Sequence, residues 1–159
     1  ICGGGMSGLS LAYYLINSKL KDKQILIIEP VEKDKNDRTW AFWEKGANPF
    51  EAIVYKKWDS VNFYNTDGEK QHLNIGEYRY KVIRGIDFYE FIIPKLRESE
   101  RVTWVKDTVE KISDAENFTT VKTTSGKQFE ASYVFDSTYK LKLNLFSYTH
   151  LRDNATVLS

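Results

Sequence analysis

Glycines near the start of the chain have the spacing of a loop that binds the diphosphate of a dinucleotide. Gly3, Gly5 and Gly8 fit the pattern G-x-G-x-x-G. In such a loop the first glycine permits a tight turn, the second lets the backbone approach a pyrophosphate, and the third lets a helix pack closely on a strand. The N-terminus of that helix supplies N–H groups and partial positive charge for the phosphates. The pattern therefore predicts a dinucleotide site.

An acidic residue at the matching distance indicates how an adenosine would be held. Glu29 lies 21 residues after Gly8, at the end of the next apolar run, where a carboxylate can hydrogen-bond the ribose hydroxyls. The alternative is a solvated carboxylate at a strand end, and we favour the ribose contact. Because a carboxylate there would repel a 2′-phosphate, the same residue argues against tightly held NADP at this position.

The elements around these residues form a βαβ unit. Residues 1–2 have the character of the end of a buried strand, and residues 6–18 carry apolar side chains near helical spacing. Residues 24–28 are a continuous apolar run, which is typical of a parallel strand buried on both faces. Strand, glycine turn, helix and strand within about 30 residues constitute the unit that presents a dinucleotide loop.

After Glu29 the pattern changes to short strands with alternating apolar residues. Asp87 is placed to cap a helix that runs to about residue 99, and Pro94 should kink it or end it early. Because an NAD domain would continue with further βα units, we predict an α/β, Rossmann-like FAD-binding domain of the glutathione-reductase type with an antiparallel β insertion. The candidate strands are 58–64, 71–75, 78–83, 102–105, 108–112, 118–124, 127–130 and a buried one at 132–136.

Composition excludes several other functions. With 23 basic and 22 acidic residues among 159, the charge balance gives no electrostatic case for nucleic acid as a partner. One cysteine cannot form an internal disulfide, and two histidines do not support a metal site. No apolar run approaches the roughly 20 residues of a membrane-spanning helix.

An aromatic segment follows the acidic strand end, and by composition alone it is compatible with a loop packed by aromatic rings. It resembles the flavoprotein lycopene cyclases of carotenoid biosynthesis, particularly the bacterial lycopene β-cyclase type. Residues 78–89 and 134–137 resemble two further stretches of that family, so that the likeness covers roughly residues 1–139 in order. The aromatic segment reads Asn36-Asp37-Arg38-Thr39-Trp40-Ala41-Phe42-Trp43-Glu44.

The resemblance implies cofactor contacts for individual residues. Gly3, Gly5, Ser7 and Gly8 would lie at the FAD diphosphate, and Glu29 at the adenosine ribose. The other implied contacts are Arg38 and Thr39 at the diphosphate or ribityl chain, Arg84 near the cofactor before a helix, Val109 at the adenine through its backbone, and Asp136 and Ser137 on the strand that returns beside the cofactor.

The resemblance also implies an activity. Lycopene cyclases bind reduced FAD, usually with NADPH as the reductant, and convert the acyclic ψ end groups of lycopene into β-ionone rings without net redox change. As intramolecular lyases of an apolar carotenoid, they are expected on the cytoplasmic side of a membrane as peripheral proteins. Trp40 and Trp43 would be wall residues near a carbocation, because aromatic faces attract cations.

The same reasoning gives an expectation for domain organisation. We expect residues 1–139 to form an FAD-binding domain with a truncated first strand, and residues 140–159 to be an unassigned tail. The substrate domain and the catalytic acid would lie outside this chain, which alone should be inactive as a cyclase. Two alternatives stay open: another FAD enzyme of the superfamily, such as a monooxygenase or a geranylgeranyl reductase, and an inactive dinucleotide-binding remnant.

Overall fold

A computed structural model describes residues 1–138, so the predicted tail at 140–159 and the end of the predicted domain at 139 lie outside the described residues. The two longest helices and the strands of this range follow closely the pattern of short apolar runs in the sequence. The helices are α1 (Met6–Ile16) and α2 (Gly85–Arg97), and the strands are β1 (Ile25–Ile28), β2 (Thr39–Lys45), β3 (Lys56–Trp58), β4 (Val61–Tyr64), β5 (Lys70–Leu73), β6 (Tyr78–Arg84), β7 (Val102–Val105), β8 (Val109–Asp114), β9 (Thr119–Thr123) and β10 (Gln128–Ala131).

A parallel sheet carries the start of the chain. Strand β1 pairs with β7 in parallel, with Ile28 opposite Val105. Cys2 forms single parallel bridges to Ile28 on one side and to Asp136 on the other. The order across the sheet is therefore β7, β1, Cys2, Asp136, and the carboxyl ends of these segments meet at one edge. The predicted Rossmann-like arrangement is confirmed in this sheet.

The main core lies between the two helices and the sheets. In α1 the buried residues are Gly8, Leu9 and Ala12. In α2, Phe88, Ile92 and Leu96 recur every four residues and are fully buried, which is the spacing of one helical face. Burial of each such side chain contributes roughly 1.5–3 kcal/mol. This core fixes the position of α1, and with it the glycine loop.

The antiparallel strands form three separate groups. Strand β6 lies between β2 and β3, β9 lies between β8 and β10, and β4 pairs with β5 as a hairpin. The aromatic segment, compatible by composition with a loop, forms strand β2 from Thr39 onward. It alternates exposed and half-buried residues along its seven positions, with half-buried Trp40 and Phe42 packed against the main core. The antiparallel insertion is thereby confirmed.

Three local predictions need correction. Asp87 does not cap α2: Arg84 occupies the N-cap position, and Asp87 lies in the first turn. Pro94 does not end the helix, which continues to Arg97 because Pro94 is exposed and its carbonyl still accepts from the N–H of Glu98.

The third correction concerns residues 132–136. They form no buried strand: Asp136 makes an isolated bridge, and the side chains of Tyr133 and Phe135 are 78% and 46% exposed. The N–H of Cys2 donates to the carbonyl of Phe135, and the N–H of Ser137, just after this segment, donates to the carbonyl of Cys2, each at 2.8 Å. With Cys2 as its pairing partner, the segment lies at the margin of the sheet that the described residues form. Val134 packs against the buried cluster that includes Cys2 and Ile28, whereas Tyr133 and Phe135 are not covered.

Candidate functional site

The glycine loop lies at the edge where the parallel segments end. Gly3 has a φ of +99°, a conformation that favours glycine. A Cβ atom at Gly8 would lie 2.2 Å from the carbonyl oxygen of Gly3, so the first turn of α1 contacts the loop with no room for a side chain. Both glycines are required by backbone geometry, as the pattern G-x-G-x-x-G predicts.

The second glycine of the pattern faces open space. A Cβ atom at Gly5 would meet no atom within 4 Å. Gly5 is also the N-cap residue of α1, and no side chain caps the helix there. Exposed Ser7 lies in the first turn. N–H groups at an uncapped helix start attract phosphates, so the loop fits the diphosphate of a dinucleotide.

The carboxylate of Glu29 closes one side of the loop. Its Oε2 accepts from the N–H of Gly4 at 2.5 Å, and its Oε1 accepts from the N–H of Val31 at 2.9 Å. Lys33 places its Nζ 3.4 Å from Oε1. These donors fix the carboxylate at the end of β1, where Oε2 keeps a lone pair for another donor. This position fits the predicted contact with ribose hydroxyls.

Sequence reasoning missed Gly4 and Lys33. Gly4 occupies a variable position of the pattern, yet a Cβ atom there would lie 2.8 Å from the Cγ of Glu29. Its need for glycine comes from the Glu29 side chain, which no local pattern reveals. The only sequence signal for Lys33 is its distance of four residues from Glu29.

Arg38, Thr39 and Arg84 are brought together by strand pairing. Thr39 at the start of β2 is opposite Arg84 at the end of β6. The N–H of Gly85 donates to the carbonyl of Arg38 at 2.7 Å, and a Cβ atom at Gly85 would lie 2.9 Å from that oxygen. The exposed side chains of Arg38, just before β2, and of Thr39, its first residue, therefore lie next to the start of α2.

The guanidinium of Arg84 is held in place by its neighbours. Its Nε and one terminal nitrogen each donate to Asp87 at 2.6 Å, and its Cζ lies 4.4 Å from the centre of the Tyr55 ring. The hydrogen bonds from Arg84 hold the pKa of Asp87 below its usual value. The predicted cofactor contact of Arg84 stays a prediction, and a ligand would meet an already oriented guanidinium.

Tyr89 connects this arginine group with the Glu29 side of the site. Its hydroxyl donates to Asp37 at 3.1 Å, and the Nζ of Lys33 lies 5.8 Å from the centre of its ring. Burial, followed by the hydrogen bond to Asp37, raises the pKa of Tyr89 well above its usual value. The hydroxyl is therefore protonated at neutral pH, and it ties the loop after β1 to helix α2.

The last predicted residues fall at two places. Ser137 lies against the glycine loop, and its hydroxyl donates to the carbonyl of Cys2 at 3.0 Å. The carboxylate of exposed Asp136 accepts from the N–H of Thr138 at 2.8 Å. Val109 is buried in a smaller cluster with Cys2 and Ile28. Its proposed adenine contact, like the roles of Asp136 and Ser137, stays a prediction.

Residues 1–138 form neither a cluster of metal-binding side chains nor a membrane-spanning helix. No group of three or more His, Cys, Asp or Glu side chains in this range could hold a metal ion. No helix among the same described residues is long and apolar enough to cross a membrane.

The fold and the glycine loop define the class of the protein: a Rossmann-like domain of the FAD-binding type with added antiparallel sheets. Two solved structures share this fold. The 2,6-dihydroxypyridine-3-hydroxylase of Arthrobacter nicotinovorans is 14% identical with a TM-score of 0.55 over 83% of this chain. The tetracycline destructase Tet(55) is 14% identical with a TM-score of 0.50 over 82%. The chain spans about one third of each, 34% and 35%.

A sequence-family model described as lycopene cyclase protein matches residues 1–151. The chain therefore belongs to the lycopene cyclase family, which confirms the resemblance carried by the aromatic segment and by residues 78–89 and 134–137. No curated protein matches the sequence significantly.

Proposed function

We propose that the chain is the FAD-binding part of an enzyme that cyclises the ψ end groups of lycopene to β-ionone rings. The observation that carries this proposal is family membership over residues 1–151. The glycine loop supports it physically, because Gly5 leaves open space above an uncapped helix start. An enzyme of this kind is an intramolecular lyase of the isomerase class.

The chain's contribution is to hold and orient FAD. The N–H groups at the start of α1 bind the diphosphate, and Glu29 binds the adenosine ribose from its fixed position at the end of β1. We assign Arg38 and Arg84, which lie together where β2 begins and β6 ends, to the same cofactor, whose diphosphate charge a guanidinium would counter. When bound and reduced, with NADPH as the reductant, FAD would supply an electron-rich ring system to the reaction.

The proposed reaction needs proton movement and no net electron transfer. A proton adds to the terminal double bond of the ψ end group and leaves a carbocation. The neighbouring double bond attacks that carbon, which forms the ring bond and moves the positive charge into the ring. Loss of a proton from the adjacent carbon gives the β-ionone double bond. One proton enters and one leaves, so substrate and product are isomers.

The apolar substrate determines where the enzyme works. A C40 hydrocarbon partitions into the bilayer, since each buried CH₂ group gains about 0.8 kcal/mol. We therefore propose cytoplasmic, peripheral association of the enzyme with the membrane that holds its carotenoid substrate.

Two measurements test the proposal. The purified 159-residue chain, titrated with FAD, should quench flavin fluorescence with saturation at one site. The longest reading frame that contains the chain, expressed in lycopene-accumulating cells, should convert lycopene into a carotene with β rings.

Unchanged lycopene despite flavin-loaded protein would refute the cyclase activity. Hydroxylation of an aromatic substrate with consumption of NADPH and O₂ would favour a monooxygenase. Reduction of a geranylgeranyl chain would favour a reductase. The absence of flavin binding in both forms would favour a dinucleotide-fold remnant.

A further inference from the structure

The carboxylate of Glu29 has room for one further hydrogen-bond donor, and this limit determines how a ribose can bind. Its Oε1 accepts from the N–H of Val31 at 2.9 Å and lies 3.4 Å from the Nζ of Lys33. Its Oε2 accepts from the N–H of Gly4 at 2.5 Å. Because a carboxylate oxygen accepts from about two donors, one lone pair of Oε2 is left for a ligand.

The adenosine ribose of FAD carries two neighbouring hydroxyl groups, at its 2′ and 3′ carbons. With one free lone pair, Glu29 can accept from one of these hydroxyl groups. A buried hydroxyl group without a partner lowers the affinity of its ligand. The second hydroxyl group therefore needs a partner of its own, supplied by a residue close to Glu29.

Lys33 places a cation next to this position. Its side chain is only 14% exposed, which is rare for lysine because an unpaired charge is costly to bury. Besides the ion pair with Glu29, its ammonium has no hydrogen-bond acceptor among residues 1–138, and its other contact is the ring of Tyr89. An ammonium carries three N–H donors, so Lys33 has donors to spare for a ligand.

The ring of Tyr89 holds the ammonium of Lys33 in place. The Nζ of Lys33 lies 5.8 Å from the centre of this ring, within the range of a cation–π contact. The ring is itself fixed, because Tyr89 is 2% exposed and its hydroxyl donates to Asp37 at 3.1 Å. A donor that is already oriented loses little side-chain freedom when a ligand binds.

The neighbouring lysines are placed differently. Lys106, just after β7, has a side chain that is 73% exposed and lies 3.7 Å from Glu32. Lys35, in the same loop as Lys33, is exposed as well. Water screens exposed charges strongly. Of these three lysines, Lys33 is the one that is largely buried and paired with the carboxylate of Glu29.

We propose that Lys33 and Glu29 bind the adenosine ribose together. The free lone pair of Glu29 Oε2 accepts from one hydroxyl group, and the ammonium of Lys33 donates to the oxygen of the other. This inference rests on the proposed function to the extent that the glycine loop binds FAD. Lys33 thereby determines specificity, because a nucleotide that lacks either hydroxyl group leaves one member of the pair without its partner.

The experiment compares ADP with 2′-deoxy-ADP and 3′-deoxy-ADP, which carry the same diphosphate and lack one hydroxyl group each. Each nucleotide is used to displace FAD from the 159-residue chain, and the recovery of flavin fluorescence gives its affinity. We expect both deoxy nucleotides to bind about tenfold more weakly than ADP, since each loses a hydrogen bond to a charged group.

A substitution at Lys33 separates its contribution from that of Glu29. Lys33→Met keeps an apolar stem and removes the ammonium. In this variant one deoxy nucleotide should bind as well as ADP, whereas the other should stay about tenfold weaker because Glu29 still accepts from its own hydroxyl group. Lys35→Met removes the same charge from an exposed position of the same loop. It is the matched control and should keep both differences. If Lys33→Met does not fold, Lys33→Ala decides.

Three results would overturn the inference. The first is a parent chain that binds one of the deoxy nucleotides as tightly as ADP. The second is a Lys33→Met chain that keeps both differences, and the third is one that loses both, as expected if Lys33 only positions Glu29.

The same measurements separate this inference from the proposed function. FAD binding together with any of those three results refutes the role of Lys33 and leaves the proposed function standing. The expected selectivity together with unchanged lycopene in the cells refutes the cyclase activity alone. A chain that binds neither FAD nor ADP refutes both.

Discussion

Alanine substitutions at two glycines of one loop should affect different properties. Gly8→Ala should lower the stability of the fold, and Gly5→Ala should lower the affinity for FAD. A Cβ atom at Gly8 would lie 2.2 Å from the oxygen of Gly3, and ordinary contact begins at 3.4 Å. The loop or the helix must therefore move by about 1 Å. Overpacking costs about 1–3 kcal/mol, and the cost lies in the upper half of that range here because the contacted atom belongs to the backbone. The better helix propensity of alanine returns about 1 kcal/mol. Gly8→Ala should lower the free energy of unfolding by about 1–2 kcal/mol.

Gly5→Ala is the matched variant in which only the ligand is disturbed. Its φ of −81° and ψ of −174° suit any residue, and the added methyl group meets open space. The free energy of unfolding should stay within about 1 kcal/mol of the parent value. FAD affinity should fall by at least about tenfold, because the methyl group takes the space that the diphosphate needs.

Both variants are compared with the parent in two experiments. Urea denaturation, monitored by tryptophan fluorescence, gives the free energy of unfolding, and titration with FAD gives the affinity. A Gly8→Ala chain as stable as the parent would refute the close helix–loop contact. A Gly5→Ala chain with unchanged FAD affinity would refute the placement of the diphosphate above this loop.

Three further predictions concern stability, each measured by urea denaturation. Lys81→Met should lower the free energy of unfolding by about 3 kcal/mol, because two partly buried carboxylates lose their common cation; a Lys57→Met chain that loses as much would contradict this. Ile92→Ala should cost about 2–5 kcal/mol, since the side chain is fully buried, and a loss below 1 kcal/mol would contradict the described core. Hydrogen bonds to Asp107, the strongest of them from Ser125, hold the pKa of this carboxyl well below its usual value. The charged carboxylate therefore stabilises the fold above pH about 4, and this stabilisation is lost as the pH falls further. Asp107→Asn should be less stable than the parent at pH 7 and approach the stability of the parent below pH 4. A difference in the free energy of unfolding that stays constant across this range would show that the charge of Asp107 does not contribute.

The βαβ start of the fold could be predicted from the sequence because its signals are local. The helix predicted at 6–18 is α1 at Met6–Ile16, and the apolar run at 24–28 is β1 at Ile25–Ile28. Strand β2 could not be predicted in the same way. Trp40 and Phe42 face the core while Trp43 is exposed, and apolar residues on both faces hide the alternation that identifies a strand.

Side-chain contacts, one local and one distant in sequence, account for the errors at the site. Asp87 had the residue type of a cap, but its carboxylate is bound to Arg84, so it forms an ion pair within the first turn. The requirement for glycine at Gly4 comes from Glu29, 25 residues away. A pattern of spacing predicted the loop and the acidic residue, and only the folded chain reveals the contacts between them.

The buried position of Cys2 allows chemical modification of its thiol to report local opening of the parallel sheet. Its thiol is the only one in the sequence, is 1% exposed, and lies between Ile28 and the segment at Asp136. Burial also raises the pKa of this thiol, which lowers its thiolate fraction. An alkylating reagent can therefore reach Cys2 only when the paired segments at Cys2, Ile28 and Asp136 separate. The rate of Cys2 alkylation measures how often the sheet next to the glycine loop opens.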